Sequence, residues 1–243
     1  MSPALPPRPS GLPDDGLFVT GTDTEVGKTY VASRVIAAAA TAGFSTGAYK
    51  PAASGAEFDP DRRKFWGDVR ELSAACGSDP SPDVVCPQRF NAALAPPEAA
   101  RAEDRAVDAG RLVTGAAGWA GQCDRLVVEG AGGLLSPLAD GVTNADVAAA
   151  FGYPLLVIAA DRLGAINHTL LTLEAASTRG LRVSAVVFSR PAETGDASTA
   201  TNANAVRAFR PGLTVLTLGH GMSSPRDQRG APVAWETLWR DAP

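Results

Sequence analysis

The chain has 243 residues, 45% of them apolar, with 22 basic and 26 acidic side chains and a net charge of −4. That is enough apolar material for a self-folding core. The acidic balance, with no basic cluster beyond Arg62-Arg63-Lys64, excludes nucleic acid and anionic membranes as partners, and apolar runs such as "PLLVIAA" fall far short of the ~20 residues of a membrane span.

The opening "MSPALPPRPSGLPDDG" has no basic region followed by an apolar one. It is expected to be a disordered Pro-rich lead over residues 1–16 rather than a signal peptide, which places the protein in the cytoplasm. Strands are expected at "LFVT" (17–20), "TGAYK" (46–50), "RLVVE" (125–129), "PLLVIAA" (154–160), "VSAVVFS" (183–189) and "LTVLTL" (213–218). Helices are expected between them at 28–43, 66–77, 108–122, 164–180 and 200–210, several closing on Gly as a C-terminal cap does. Strands apolar at consecutive positions are buried on both faces. The pattern therefore predicts an α/β protein, a mostly parallel sheet flanked by helices, as one domain over 17–243. The Pro-rich stretch 78–100 is expected to be a loop-rich excursion on the substrate side. Cys76, Cys86 and Cys123 are odd in number and lack C-x-x-C spacing, so they are expected to be small core residues.

"FVTGTDTEVGKTYV" (18–31) carries the chemistry. It resembles the phosphate loop G-x-x-x-x-G-K-[ST], with five residues instead of four between Gly21 and Gly27. Backbone N–H groups of Thr24, Glu25, Val26, Gly27, Lys28 and Thr29 suit nucleotide phosphates, Lys28 suits the terminal one, and the Thr29 hydroxyl suits Mg²⁺. Asp23 is expected to cap the turn through nearby backbone. Only three of the 22 basic residues are Lys: Lys28, Lys50 and Lys64. Where Arg supplies nearly all positive charge, a retained Lys marks a place for a compact ammonium. Lys50 closes the second strand. Glu129 ends "RLVVE" ahead of "GAGG" and reads either as a Mg²⁺ ligand or as a cap. Asp68 reads either as a second metal carboxylate or as an N-terminal helix charge. His168 is expected to be a packed or interface histidine.

"FVTGTDTEVGKT", "GAYKPAASG", "VVEGAGGLLSPL" and "GAINHTLLTLEA", in this order, closely resemble dethiobiotin synthetase, from about Leu17 to Ser189. In that family the longer loop is the rule. The resemblance implies ATP as co-substrate, 7,8-diaminopelargonic acid and CO₂ as substrates, Mg²⁺, and a homodimer with a composite active site. It assigns Mg²⁺ to Thr29, Asp68 and Glu129, and catalysis to Lys28, Lys50 and Glu25. It assigns the substrate to Lys50, Ser54, Gly130, Ala131, Gly132, Gly133 and, from the partner subunit, Asn167. Ser189 stands where relatives often read the base with Asn, so other nucleoside triphosphates are expected to serve. A partition-type ATPase of the same fold class is the alternative. Its loops typically carry an early lysine, which Gly21-Thr22-Asp23 lacks.

Overall fold

The computed structural model describes residues 4–190, 193 and 195–239. Its centre is β1 (Gly16–Gly21), buried at every position. The chain then runs through α1 (Lys28–Thr41), β2 (Thr46–Tyr49), the small hairpin of β3 (Glu57–Phe58) and β4 (Lys64–Phe65), α2 (Gly67–Ala75), α3 (Pro82–Val85), α4 (Pro96–Arg101) and α5 (Arg111–Thr114). Next come β5 (Arg125–Gly133), the hairpin of β6 (Pro137–Ala139) and β7 (Val142–Thr143), α6 (Asn144–Phe151), β8 (Leu155–Ala160), α7 (Ala165–Thr178), β9 (Val183–Ser189), α8 (Asn202–Phe209) and β10 (Val215–Leu218).

Six strands form one sheet in the order β10-β9-β8-β1-β5-β2, and every neighbouring pair is parallel. β5 comes late in sequence yet lies between β1 and β2, with Val19 beside Glu129 and Tyr49 beside Val128. The carboxyl ends of these three strands therefore meet at one edge. The expected α/β order and parallel sheet are what the chain adopts, and Cys76 and Cys86 are buried in its core as free thiols.

Three expectations differ from the structure. Of the lead expected to be disordered, the part around Gly11–Pro13 is held against the body: Leu12 is buried, the Tyr153 hydroxyl donates to the Pro13 carbonyl at 2.7 Å, and Gly121 N–H donates to Gly11 O at 2.9 Å. Apolar burial and these bonds offset the ordering entropy that a Pro-rich composition by itself does not reveal. Met1–Pro3 fall outside the described residues. The helix expected at 108–122 shrinks to α5 and a 3₁₀ turn, Gly115–Trp119, where a side chain on Gly115 would strike the Tyr49 hydroxyl. The stretch 78–100 contains the short helices α3 and α4, each with Pro in its first turn, where a missing N–H costs nothing.

Candidate functional site

β1 ends at Gly21 and the chain turns through residues 22–27 before α1 begins at Lys28. Gly27 takes φ +91°, the left-handed region open to glycine, and a Cβ there would lie 2.8 Å from the Ser189 hydroxyl. Asp23 Oδ1 accepts the Thr24 N–H at 2.8 Å, the expected turn cap. Val26 is buried and anchors the loop, while Glu25, at φ +55°, is exposed. A non-glycine residue in that region is strained and persists where its surroundings impose it. The nearly buried Lys28 Nζ donates to Asp23 O at 2.9 Å, across the loop.

Behind the loop lies a cluster of charges. Lys50, the first residue after β2, donates from Nζ to Glu129 Oε1 at 2.6 Å and pairs with Asp68 Oδ2 at 2.8 Å. Thr29 Oγ1 donates to the same Glu129 oxygen at 2.9 Å. Glu129 is fully buried and its second oxygen has no hydrogen-bond partner, whereas the Asp68 side chain, in the first turn of α2, is 51% exposed. Burial opposes the charge on Lys50, but Glu129 and Asp68 outweigh it and hold the ammonium above the usual lysine range. Lys28 is pushed below that range by burial, against the pull of Glu129. Burial raises the Glu129 carboxyl against the pull of Lys50, and Lys50 draws Asp68 down.

This cluster opens into a cavity of about 700 Å³, the size of a small-molecule site. Thr24, Glu25, Gly27, Lys28, Thr29, Lys50 and Asp68 line it. Ala131 and Gly132 of β5 face the loop side, and Ala93–Pro96 of the Pro-rich excursion form a wall. Ser54 lines it too, its hydroxyl donating to Leu94 O at 2.6 Å.

A family model described as an AAA domain matches residues 15–220. The chain is 40% identical over 202 residues to the ATP-dependent dethiobiotin synthetase BioD of Rhodopirellula baltica, covering 79% of each chain. It is 46% identical over 204 residues to the enzyme of that name from Anaeromyxobacter dehalogenans strain 2CP-1, covering 83% of this chain and 89% of the relative. The chain belongs to the ATP-dependent dethiobiotin synthetase family. It is accordingly a ligase. Among solved structures, the signal recognition particle receptor FtsY from Elizabethkingia anophelis superposes with TM-score 0.50 at 11% identity, over 93% of this chain and 65% of that one. At that identity the likeness shows the fold alone, that of P-loop NTPases.

Measured against the residues that the family resemblance assigns, the structure gathers Thr24, Glu25, Gly27, Lys28, Thr29, Lys50, Ser54, Asp68, Ala131 and Gly132 around one cavity, with Glu129 beneath it. Gly130 and Gly133 flank the lining residues of the same strand. Ser189 closes β9 buried under Gly27, outside the cavity lining. Asn167 is exposed in the first turn of α7, also outside it. The direct pairing of Lys50 with both carboxylates was not anticipated, because strand order decides it. Sequence reasoning also passed over α6 and the buried Asn144 at its start, although Thr143 and Asp146 spell the T-x-x-D of a capping box.

Proposed function

We propose that this chain closes the ureido ring of dethiobiotin: one amine of 7,8-diaminopelargonic acid takes up CO₂ as a carbamate, whose oxygen attacks the γ-phosphorus of ATP and releases ADP. The second amine then attacks the carbonyl carbon of the mixed anhydride, forming the second C–N bond and expelling phosphate. The observation that carries this reading is the meeting of Lys28, Lys50 and the Ala131–Gly132 backbone around one cavity in a chain of this family.

Phosphoryl transfer asks mainly for positioning and neutralisation of charge. Lys28 holds the terminal phosphate. Lys50 stands between two anions, carbamate and γ-phosphate, and its flexible point charge removes their repulsion. The exposed carboxylate of Glu25 faces the cationic diamine while the loop amides bind phosphate. Thr29, Asp68 and Glu129 would hold Mg²⁺: all are hard oxygen donors, the set is sparse as suits an ion that keeps water and phosphate ligands, and Glu129 Oε2 is buried without a partner. When bound, the metal supplies charge neutralisation at the phosphate oxygens.

Residues 17–243 form one ligase domain in this reading, acting in the cytoplasm as a homodimer. Support for the dimer comes from Leu135, His168 and Leu171, which share a shallow surface depression beside exposed Asn167, with Leu163 also exposed nearby. Asn167 then reaches the partner's substrate, and the free N–H groups at the start of α7 suit its carboxylate tail.

The direct test is phosphate release that requires both the diamine and bicarbonate; release independent of the diamine rejects the reading. The composite site has its own expected result. Mixing inactive Lys28→Ala with inactive Asn167→Ala protein should restore up to about a quarter of wild-type activity if subunits pair at random, since one hybrid site is intact. Absence of recovery after demonstrated subunit exchange places each site within one chain.

Base selectivity is expected to be loose. Asn can pair with the adenine edge twice, whereas Ser189 offers one hydroxyl and packs beneath Gly27. Losing one hydrogen bond, about 0.5–1.5 kcal/mol, leaves CTP and GTP within roughly tenfold of ATP in kcat/KM. A preference for ATP above a hundredfold would show that other groups read adenine.

A further inference from the structure

The stretch Gly130–Gly133 has a problem of its own. With three glycines in four residues it has little side-chain material to hold itself, and glycine backbone is free in most directions. The structure supplies an outside support. Asn144, the first residue of α6, is fully buried. Its Oδ1 accepts the Ala131 N–H at 3.0 Å, and its Nδ2 donates to the carbonyls of Ala131, Gly133 and Ser136 at 2.7, 2.9 and 3.2 Å. Two further backbone bonds, Asn144 N–H to Ser136 O at 3.1 Å and Ala145 N–H to Leu134 O at 2.9 Å, tie the same loop to the helix start.

The fit is tight. A Cβ on Gly130 would lie 2.3 Å from Asn144 Oδ1, so the amide sits directly against the strand. Only an amide offers an acceptor and donors side by side for an N–H and several carbonyls. The helix start is itself fixed, because Thr143 and Asp146 complete a capping box in which Thr143 N–H donates to Asp146 Oδ2 at 2.7 Å. Asn144 thus binds one side of the loop while Ala131 and Gly132 line the cavity.

We infer that Asn144 is a positioning residue for the diamine: it fixes the backbone of Ala131 and Gly132 against the cavity and sets diamine affinity without touching either substrate. This rests on the reading that the glycine stretch lines the diamine site. Lys28 and the phosphate loop share none of the Asn144 hydrogen bonds and touch the stretch only through Gly133 beside Gly21 and Gly132 beside Thr24, so the effect on ATP is expected to be much the smaller.

The experiment compares wild type with Asn144→Ala and, should that variant fail to fold, Asn144→Ser. It measures KM for 7,8-diaminopelargonic acid and for ATP, amide hydrogen exchange across residues 130–136 in the unliganded full chain, and thermal melting. The expected result is a diamine KM raised about tenfold or more, the scale of one lost buried polar contact. ATP KM should stay within about twofold, and exchange should quicken within 130–136. Unchanged exchange there overturns the inference, as does a lowered melting temperature with an unshifted diamine KM, or an equal rise in both KM values. If wild type binds ATP but does not consume the diamine, the ring-closure reading falls and takes the positioning role with it. Normal wild-type turnover with an unshifted variant overturns the role of Asn144 alone.

Discussion

On the proposed mechanism Lys50→Ala is expected to lower kcat by roughly 10²–10³, the scale of removing one preorganised donor that stabilises charge in a transition state. It should also destabilise the protein. Lys50 is the buried partner of Glu129, whose carboxylate is fully enclosed and already has one oxygen without a hydrogen bond. Removing one member of such a pair leaves a buried charge, a loss of about 3 kcal/mol. Asp68 adds little to this cost because its side chain is half exposed and water screens it. The two effects can be separated. In Lys50→Ala/Glu129→Gln the buried charge is gone, so the melting temperature should recover while turnover stays low. Wild-type kcat in Lys50→Ala would remove the residue from the mechanism, and wild-type stability would mean that Glu129 finds another partner.

Lys28→Ala should lose activity on the same scale, roughly 10²–10³ in kcat/KM, but with no loss of stability. The sign follows from the direction of the shift. Burial lowers the Lys28 pKa, so its charge opposes folding at every pH below the folded-state pKa, and that cost fades as pH rises toward the unfolded value. Removing the side chain at neutral pH therefore relieves a penalty. The same shift predicts a pH effect on the wild type. As pH rises, Lys28 loses its proton before an ordinary lysine would, so ATP affinity should begin to fall below the usual lysine range and ATP binding should take up protons there. Calorimetry in buffers of different ionisation enthalpy measures that uptake, and Lys28→Ala should abolish it. Persistent uptake in the variant would assign the proton to another group.

The sequence by itself determined the α/β class, because β-branched apolar runs such as "VVFS" and "LLVIA" are of strand length and fit strands buried on both faces, and their alternation with helical stretches favours parallel connections. It also determined the loop, since Gly27, Lys28 and Thr29 are neighbours in the chain and their geometry is local. Local signals were less decisive elsewhere. Pro-rich composition says nothing of the surface that Tyr153 and Gly121 offer to the lead, and α6 gives no helical stripe because "NADVAAAF" is apolar at six of its eight positions. Only the tertiary structure decided the charge cluster. Lys50 and Glu129 are 79 residues apart, and they meet because β5 lies between β1 and β2 in the sheet. Strand order is chosen by packing over the whole domain, so no window of sequence contains it. The Asn144 support is more local: its four side-chain hydrogen bonds go to Ala131, Gly133 and Ser136, within 13 residues of it, but their geometry depends on how the chain turns back between β5 and α6.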